Sequence, residues 1–124
     1  MVPLPNIFRL RGTDLVKEIT IMNIDAELSR AKKAVEEGNI GMARVCARRA
    51  CGSAIAFWLQ NNPRDSYGES AMNQLRSIQS DDTIPKEVKD AAERLTTKVA
   101  DQTTSPLSDD PITDAEIITR SFLS

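Results

Sequence analysis

The residues of this sequence that invite chemistry are three arginines on one predicted helix. Arg44 and Arg48 lie four apart and share a helical face, with Arg49 about a quarter-turn away. Guanidinium forks grip phosphate oxygens bidentately, so this spacing fits an anion or nucleotide site. The same spacing fits the solvated edge of a buried helix, or pairing with the acidic C-terminal half. Charge is segregated in that sense: residues 30–64 carry 7 basic and 2 acidic side chains, and residues 65–124 carry 6 and 12. The chain as a whole is acidic, with a formal charge of −2, which argues against strong duplex DNA binding.

Other reactive groups are few. There is no histidine among the 124 residues, which removes Ser-His-Asp triads, Cys-His pairs and His metal sites. Cys46 and Cys51 diverge by about 140° on a helix and cannot bridge each other. Both fall on an apolar arc, where buried, inert thiols are expected. Glu36-Glu37, Asp81-Asp82 and Asp109-Asp110 are adjacent carboxylates. The first pair points about 100° apart on a helix, and the aspartate pairs precede helices, where carboxylates favour the positive helix end. No catalytic constellation, metal set or cofactor motif emerges. No apolar run approaches bilayer length, and Met1-Val-Pro-Leu-Pro lacks a signal-peptide pattern. Reduced thiols in a cytoplasmic protein are the expectation.

The elements that must carry these residues are helical. Residues 1–24 read as an N-terminal arm, opened by Pro3 and Pro5, in which Thr13-Asp14 suit a helix cap and residues 19–24 suit a strand equally well. From Asp25 a helix places Leu28, Ala31 and Val35 on one face, with Ala34 beside them. Gly38-Asn39 stops it and starts the next, forcing an antiparallel hairpin. The second helix, residues 40–60, gathers Ile40, Ala43, Cys46, Ala47, Ala50, Cys51, Ala54, Phe57 and Trp58 on one arc. Its opposite side mixes the arginines with Ile55, Ala56 and Leu59. Gly52, Ile55, Ala56 and Leu59 therefore mark an expected homodimer interface, with the N-terminal arm as the other choice. Ser66-Tyr-Gly-Glu69 reads as a capping box for a third helix carrying Tyr67, Ala71, Leu75 and Ile78. Pro85 opens a fourth that runs to about Ala100. A capping box at Thr113-Asp-Ala-Glu116 opens a fifth with Ala115, Ile118 and Phe122 inward. The fold class is all-α: a bundle of about five helices on a long antiparallel hairpin, with residues 25–124 as the bundle.

This order of parts resembles the HEPN family (higher eukaryotes and prokaryotes nucleotide-binding). The likeness rests on Ala31-Lys-Lys-Ala-Val-Glu-Glu-Gly-Asn39, on the Ala- and aromatic-rich stretch from Met42 to Trp58, and on the later helices at 69–79, 85–99 and 111–122. The family's ribonuclease branch carries an arginine followed four to six residues later by a catalytic histidine. Arg94 and Arg120 lie near the matching region, but the histidine is absent. The resemblance thus implies a non-catalytic binding or accessory domain for a nucleotide, an RNA, or a protein partner such as a nucleotidyltransferase. A purely structural helical adaptor is the alternative, and an enzyme using carboxylates or arginines in an unfamiliar arrangement is a third class.

Overall fold

The computed structural model describes residues 12–64, 66–97 and 110–123, with side chains from residue 15 onward. They form five helices: α1 (Gly12–Glu36), α2 (Ile40–Leu59), α3 (Ala71–Gln79), α4 (Lys86–Thr96) and α5 (Pro111–Leu123). The described residues contain no strand. The all-α bundle built on a helical hairpin is therefore the observed fold.

The hairpin turn follows from two residues. Gly38 adopts φ +77°, a conformation that a Cβ would strain. The Gly38 N–H donates to the Val35 carbonyl at 3.0 Å, and the Asn39 N–H to the Ala34 carbonyl at 2.7 Å. Those are the paired bonds of a Schellman stop. The Asn39 side chain then caps α2 by accepting the Met42 N–H at 3.0 Å.

Upstream, the structure departs from the arm drawn for residues 1–24. α1 starts at Gly12 and passes through Asp25 without a break. Thr20 and Ile24 are buried in line with Ala31 and Ala34, so the inward face extends about two turns upstream of Leu28. The outward face hides this in sequence, because Leu15, Ile19 and Met22 are apolar yet exposed, which flattens the amphipathic contrast. Val35, expected inward, is exposed as well. The strand alternative for residues 19–24 is excluded by the helix. Residues 1–11 lie outside the described residues.

α2 is the central element. α1 and α5 cover its alanine- and cysteine-rich arc, and α3 packs beside Gly52. Ala43, Cys46, Ala47, Ala50, Cys51 and Ala54 are buried as their spacing predicts, Phe57 and Trp58 are partly buried, and Ile40, in the first turn beyond the reach of the bundle, is exposed. Trp58 sits between Phe122, with ring centroids 5.0 Å apart, and Tyr67 at 6.0 Å. Such tilted pairings suit the ring quadrupoles.

Three helix starts or ends move relative to the sequence reading. α3 is capped by Ser70, whose hydroxyl oxygen accepts the Asn73 N–H at 3.1 Å; Ser66 caps nothing. Tyr67 is consequently a buried loop residue, followed by Gly68 at φ +72°. α5 is capped by Asp110, which accepts the Thr113 N–H at 3.1 Å and its hydroxyl at 2.6 Å, so the box at Thr113–Glu116 goes unused. In both cases a capping side chain a few residues upstream of the first inward apolar position satisfies the orphan amides. Pro85 stands at the N-cap of α4, one residue outside the helix. α4 ends at Thr96; its expected continuation through Val99 to Ala100 falls on residues outside those described.

Candidate functional site

The three arginines of α2 part company. Arg44 is only 7% exposed, and its guanidinium turns toward the last turn of α4. It donates through Nη2 to the carbonyls of Leu95 at 3.2 Å and Thr97 at 2.6 Å, and through Nη1 to that of Arg94 at 3.5 Å. Arg48 joins it, donating to the Leu95 carbonyl at 3.2 Å. The final carbonyls of a helix have no partner within the helix and sit at its negative end. Two guanidinium groups from α2 thus cap α4. Burial pulls the pKa of both arginines down; the Arg44 charge lowers Arg48 further, while Asp114 counters the effect on Arg44.

The neighbouring charge pair ties in α5. Arg94 donates through Nε at 3.0 Å and Nη2 at 2.7 Å to one oxygen of the buried Asp114. That bonding raises the Arg94 pKa. Arg44, Arg48, Arg94 and Asp114 form a knot that fixes α2, α4 and α5 to one another. Their side chains are turned to carbonyls and to a carboxylate of this chain, a different task from the phosphate fork that their spacing invites. Arg94 and Asp114 carried no such role in the sequence reading: no local pattern links positions 20 and 50 residues apart.

Arg49 points elsewhere. It is exposed and lines a groove of about 470 Å³ between α1, α2 and the start of α3. Asn23 and Glu27 come from α1, Ser53 joins Arg49 from α2, and Glu69 and Gln74 complete the polar lining. The floor is Gly52 against Ala71. A Cβ at Gly52 would lie 2.9 Å from that of Ala71, so the missing side chain lets α3 approach α2 here.

Glu27 is the unusual member. Its Oε1 accepts from Arg30 Nη1 at 2.9 Å, while its Oε2 is buried and unmatched by a strong donor among the described residues, the carboxylate's other neighbour being the weakly donating Cys46 thiol. A carboxylate oxygen out of water is costly unless a donor reaches it. Beside it, burial first and the Glu27 charge second push the Cys46 thiol up; burial pushes the Cys51 thiol up strongly. Both cysteines are free and buried, as expected. Arg49, Glu27 and Glu69 therefore offer a donor fork and two acceptors around one opening. Sequence spacing gave no signal for Glu27, whose importance comes from where α1 crosses α2.

The expected dimer residues separate too. Gly52 and Ile55 are fully covered in the bundle, Leu59 is half-buried against the core, and only Ala56 is exposed, on the rim of the groove. The reason is the central place of α2: its second apolar side is covered by α3 rather than left for a second chain. Among the described residues no group of three or more His, Cys, Asp or Glu is arranged to hold a metal, and no helix is long and apolar enough to cross a membrane. Compared with known protein families, curated proteins and solved structures, the chain matches none.

Proposed function

We propose that this chain is a non-catalytic, HEPN-like binding domain of the cytoplasm whose ligand is a nucleotide or an RNA end held in the α1–α2–α3 groove. One observation supports the reading: the groove is lined by both the exposed Arg49 and Glu27, whose buried Oε2 has no donor stronger than the Cys46 thiol among the described residues. A nucleotide presents both complements, a phosphate for the guanidinium and base or sugar donors for the carboxylate. The non-catalytic part draws on the missing histidine and on thiols that burial keeps protonated. Two free, buried cysteines suit a reducing compartment.

The test is thermal shift and calorimetry with mononucleotides and short RNAs on the wild-type chain, Arg49→Ala and Glu27→Gln. A ligand at 100 times its dissociation constant stabilises by about 2.7 kcal/mol. The expected result is a clear upward shift for the wild type that Arg49→Ala abolishes. No shift with any nucleotide or RNA overturns the proposal, as does binding that both variants retain.

The alternative reading, a helical adaptor that works by assembly, is favoured by a separate observation: the exposed apolar side chains of α1.

A further inference from the structure

The outward face of α1 has a pattern that its inward face does not explain. Leu15, Ile19 and Met22 are 37%, 49% and 69% exposed, and Ala26 is exposed on the same stripe. Their spacing is four, three and four residues. That is the 3.5-residue repeat of a coiled-coil seam, with Leu15 and Met22 at d positions and Ile19 and Ala26 at a positions. The inward residues Thr20, Ile24 and Ala31 lie roughly 150° away on the helix and are buried in the bundle. A surface helix needs one apolar stripe; over these three turns α1 has two.

The charges beside the seam select the occupant and its direction. In a parallel pair of α1 helices, each g position meets the e position five residues on in the other copy. Asp25 then faces Arg30 of the second copy, twice by symmetry, and Glu18 faces Asn23. Asp25 is exposed, and Arg30, though bonded to Glu27 through Nη1 at 2.9 Å, is exposed too and keeps further guanidinium donors for a partner. In the antiparallel register that keeps all four apolar residues in contact, Glu18 faces Asp25 twice, placing like charges together. A β-branched residue at a with leucine at d, as at Ile19 and Leu15, favours two strands over three. We infer that the outward face of α1 is a parallel, two-stranded pairing surface for a second copy of this chain. The inference does not rest on a ligand in the groove, and of the two places expected for self-association it takes residues 15–22 of the N-terminal arm over Ile55 and Leu59.

The test is sedimentation equilibrium of the full chain from low micromolar to several hundred micromolar. The expected result is a monomer–dimer equilibrium that Ile19→Asp or Met22→Glu weakens by about tenfold or more, with unchanged thermal unfolding of the monomer. Ala26→Ile, which fills an exposed a position, strengthens it. Oxidation of Met22→Cys gives a covalent dimer, because equivalent d residues face each other only in the parallel, in-register pair. A monomer at every concentration overturns the inference, which leaves the stripe to an unlike partner. A dimer indifferent to Ile19→Asp and Met22→Glu overturns it too. A dimer that Met22→Cys does not cross-link overturns the parallel register.

Discussion

The junction of α2 with α4 and α5 and the groove between α1, α2 and α3 are built from the same residue types and behave as opposites. In the junction, Arg44 and Arg48 end on the carbonyls of α4, and Arg94 on the carboxylate of Asp114. In the groove, Arg49 stays exposed and a buried oxygen of Glu27 has no donor stronger than the Cys46 thiol among the described residues. The two regions sit on successive turns of one helix. What separates them is geometry: a closing helix end supplies acceptors on one side of α2, and on the other a missing Cβ at Gly52 leaves an opening above the contact with α3. An arginine's role in this bundle is set by the acceptor it reaches, not by its spacing from other arginines.

The comparison breaks most visibly at the junction. Arg44→Met keeps the apolar stem and removes its donors from the carbonyls of Arg94, Leu95 and Thr97, of which Leu95 keeps Arg48. A loss of about 2–4 kcal/mol is expected, read as a lower midpoint in urea unfolding. A loss under about 1 kcal/mol would mean that water satisfies α4 equally well. Next in size is Gly52→Ala on the groove floor. Its new methyl collides with Ala71 at 2.9 Å, and overpacking of that kind costs about 1–3 kcal/mol. The same change pushes α3 outward and weakens ligand binding in the groove, measured by calorimetry alongside stability.

A third pairing calibrates both regions. Asp81 accepts from the Thr83 hydroxyl at 2.7 Å, the Tyr67 hydroxyl at 2.6 Å and the Thr83 N–H at 3.0 Å, which together hold its pKa well below the usual carboxylate range. A depressed folded pKa contributes stability that is fully present above about pH 4, the unfolded value, and is lost as pH falls toward the folded one. Melting temperature followed from pH 6 to pH 2 should therefore decline, and in Asp81→Asn this acid-side decline should be shallower. An identical slope in the variant would assign the acid sensitivity to other carboxylates. The smallest effect on stability belongs to the open site. Arg49→Ala changes unfolding free energy by no more than about 0.5 kcal/mol, since among the described residues it bonds to no helix end and no carboxylate. A larger loss would show Arg49 to be structural and would merge the two regions into one class.

Legibility in sequence followed the range of the interactions. The Gly38-Asn39 stop and cap span only Ala34 to Met42, and both residues act as local rules require. The buried arc of α2 and the inward faces of α3, α4 and α5 were equally plain, because periodicity is a local signal. Cap choice was harder. Ser66 and Ser70 are both serines ahead of the same apolar stripe, and Tyr67 decides between them by leaving the helix to reach Asp81. The start of α1 was masked by its second apolar stripe. The candidate site was the least legible part. Arg44 finds its acceptors about 50 residues away, and Glu27 meets Arg49 only once α1 has folded back on α2. Neither distance leaves a mark on local spacing.

The position of α5 has a consequence for how the chain comes into being. The hairpin of α1 and α2 is made of near neighbours and forms early in synthesis. Its exposed alanine, cysteine and tryptophan side must then wait for Ala115, Ile118 and Phe122, which follow more than fifty residues later in the chain. During that interval a ribosome-bound chain displays an uncovered sticky surface, the kind that recruits chaperones and seeds misassembly. Slow translation through the polar stretch before Pro111 would lengthen the exposure, while rapid delivery of the last helix would seal the bundle before neighbouring nascent chains could meet.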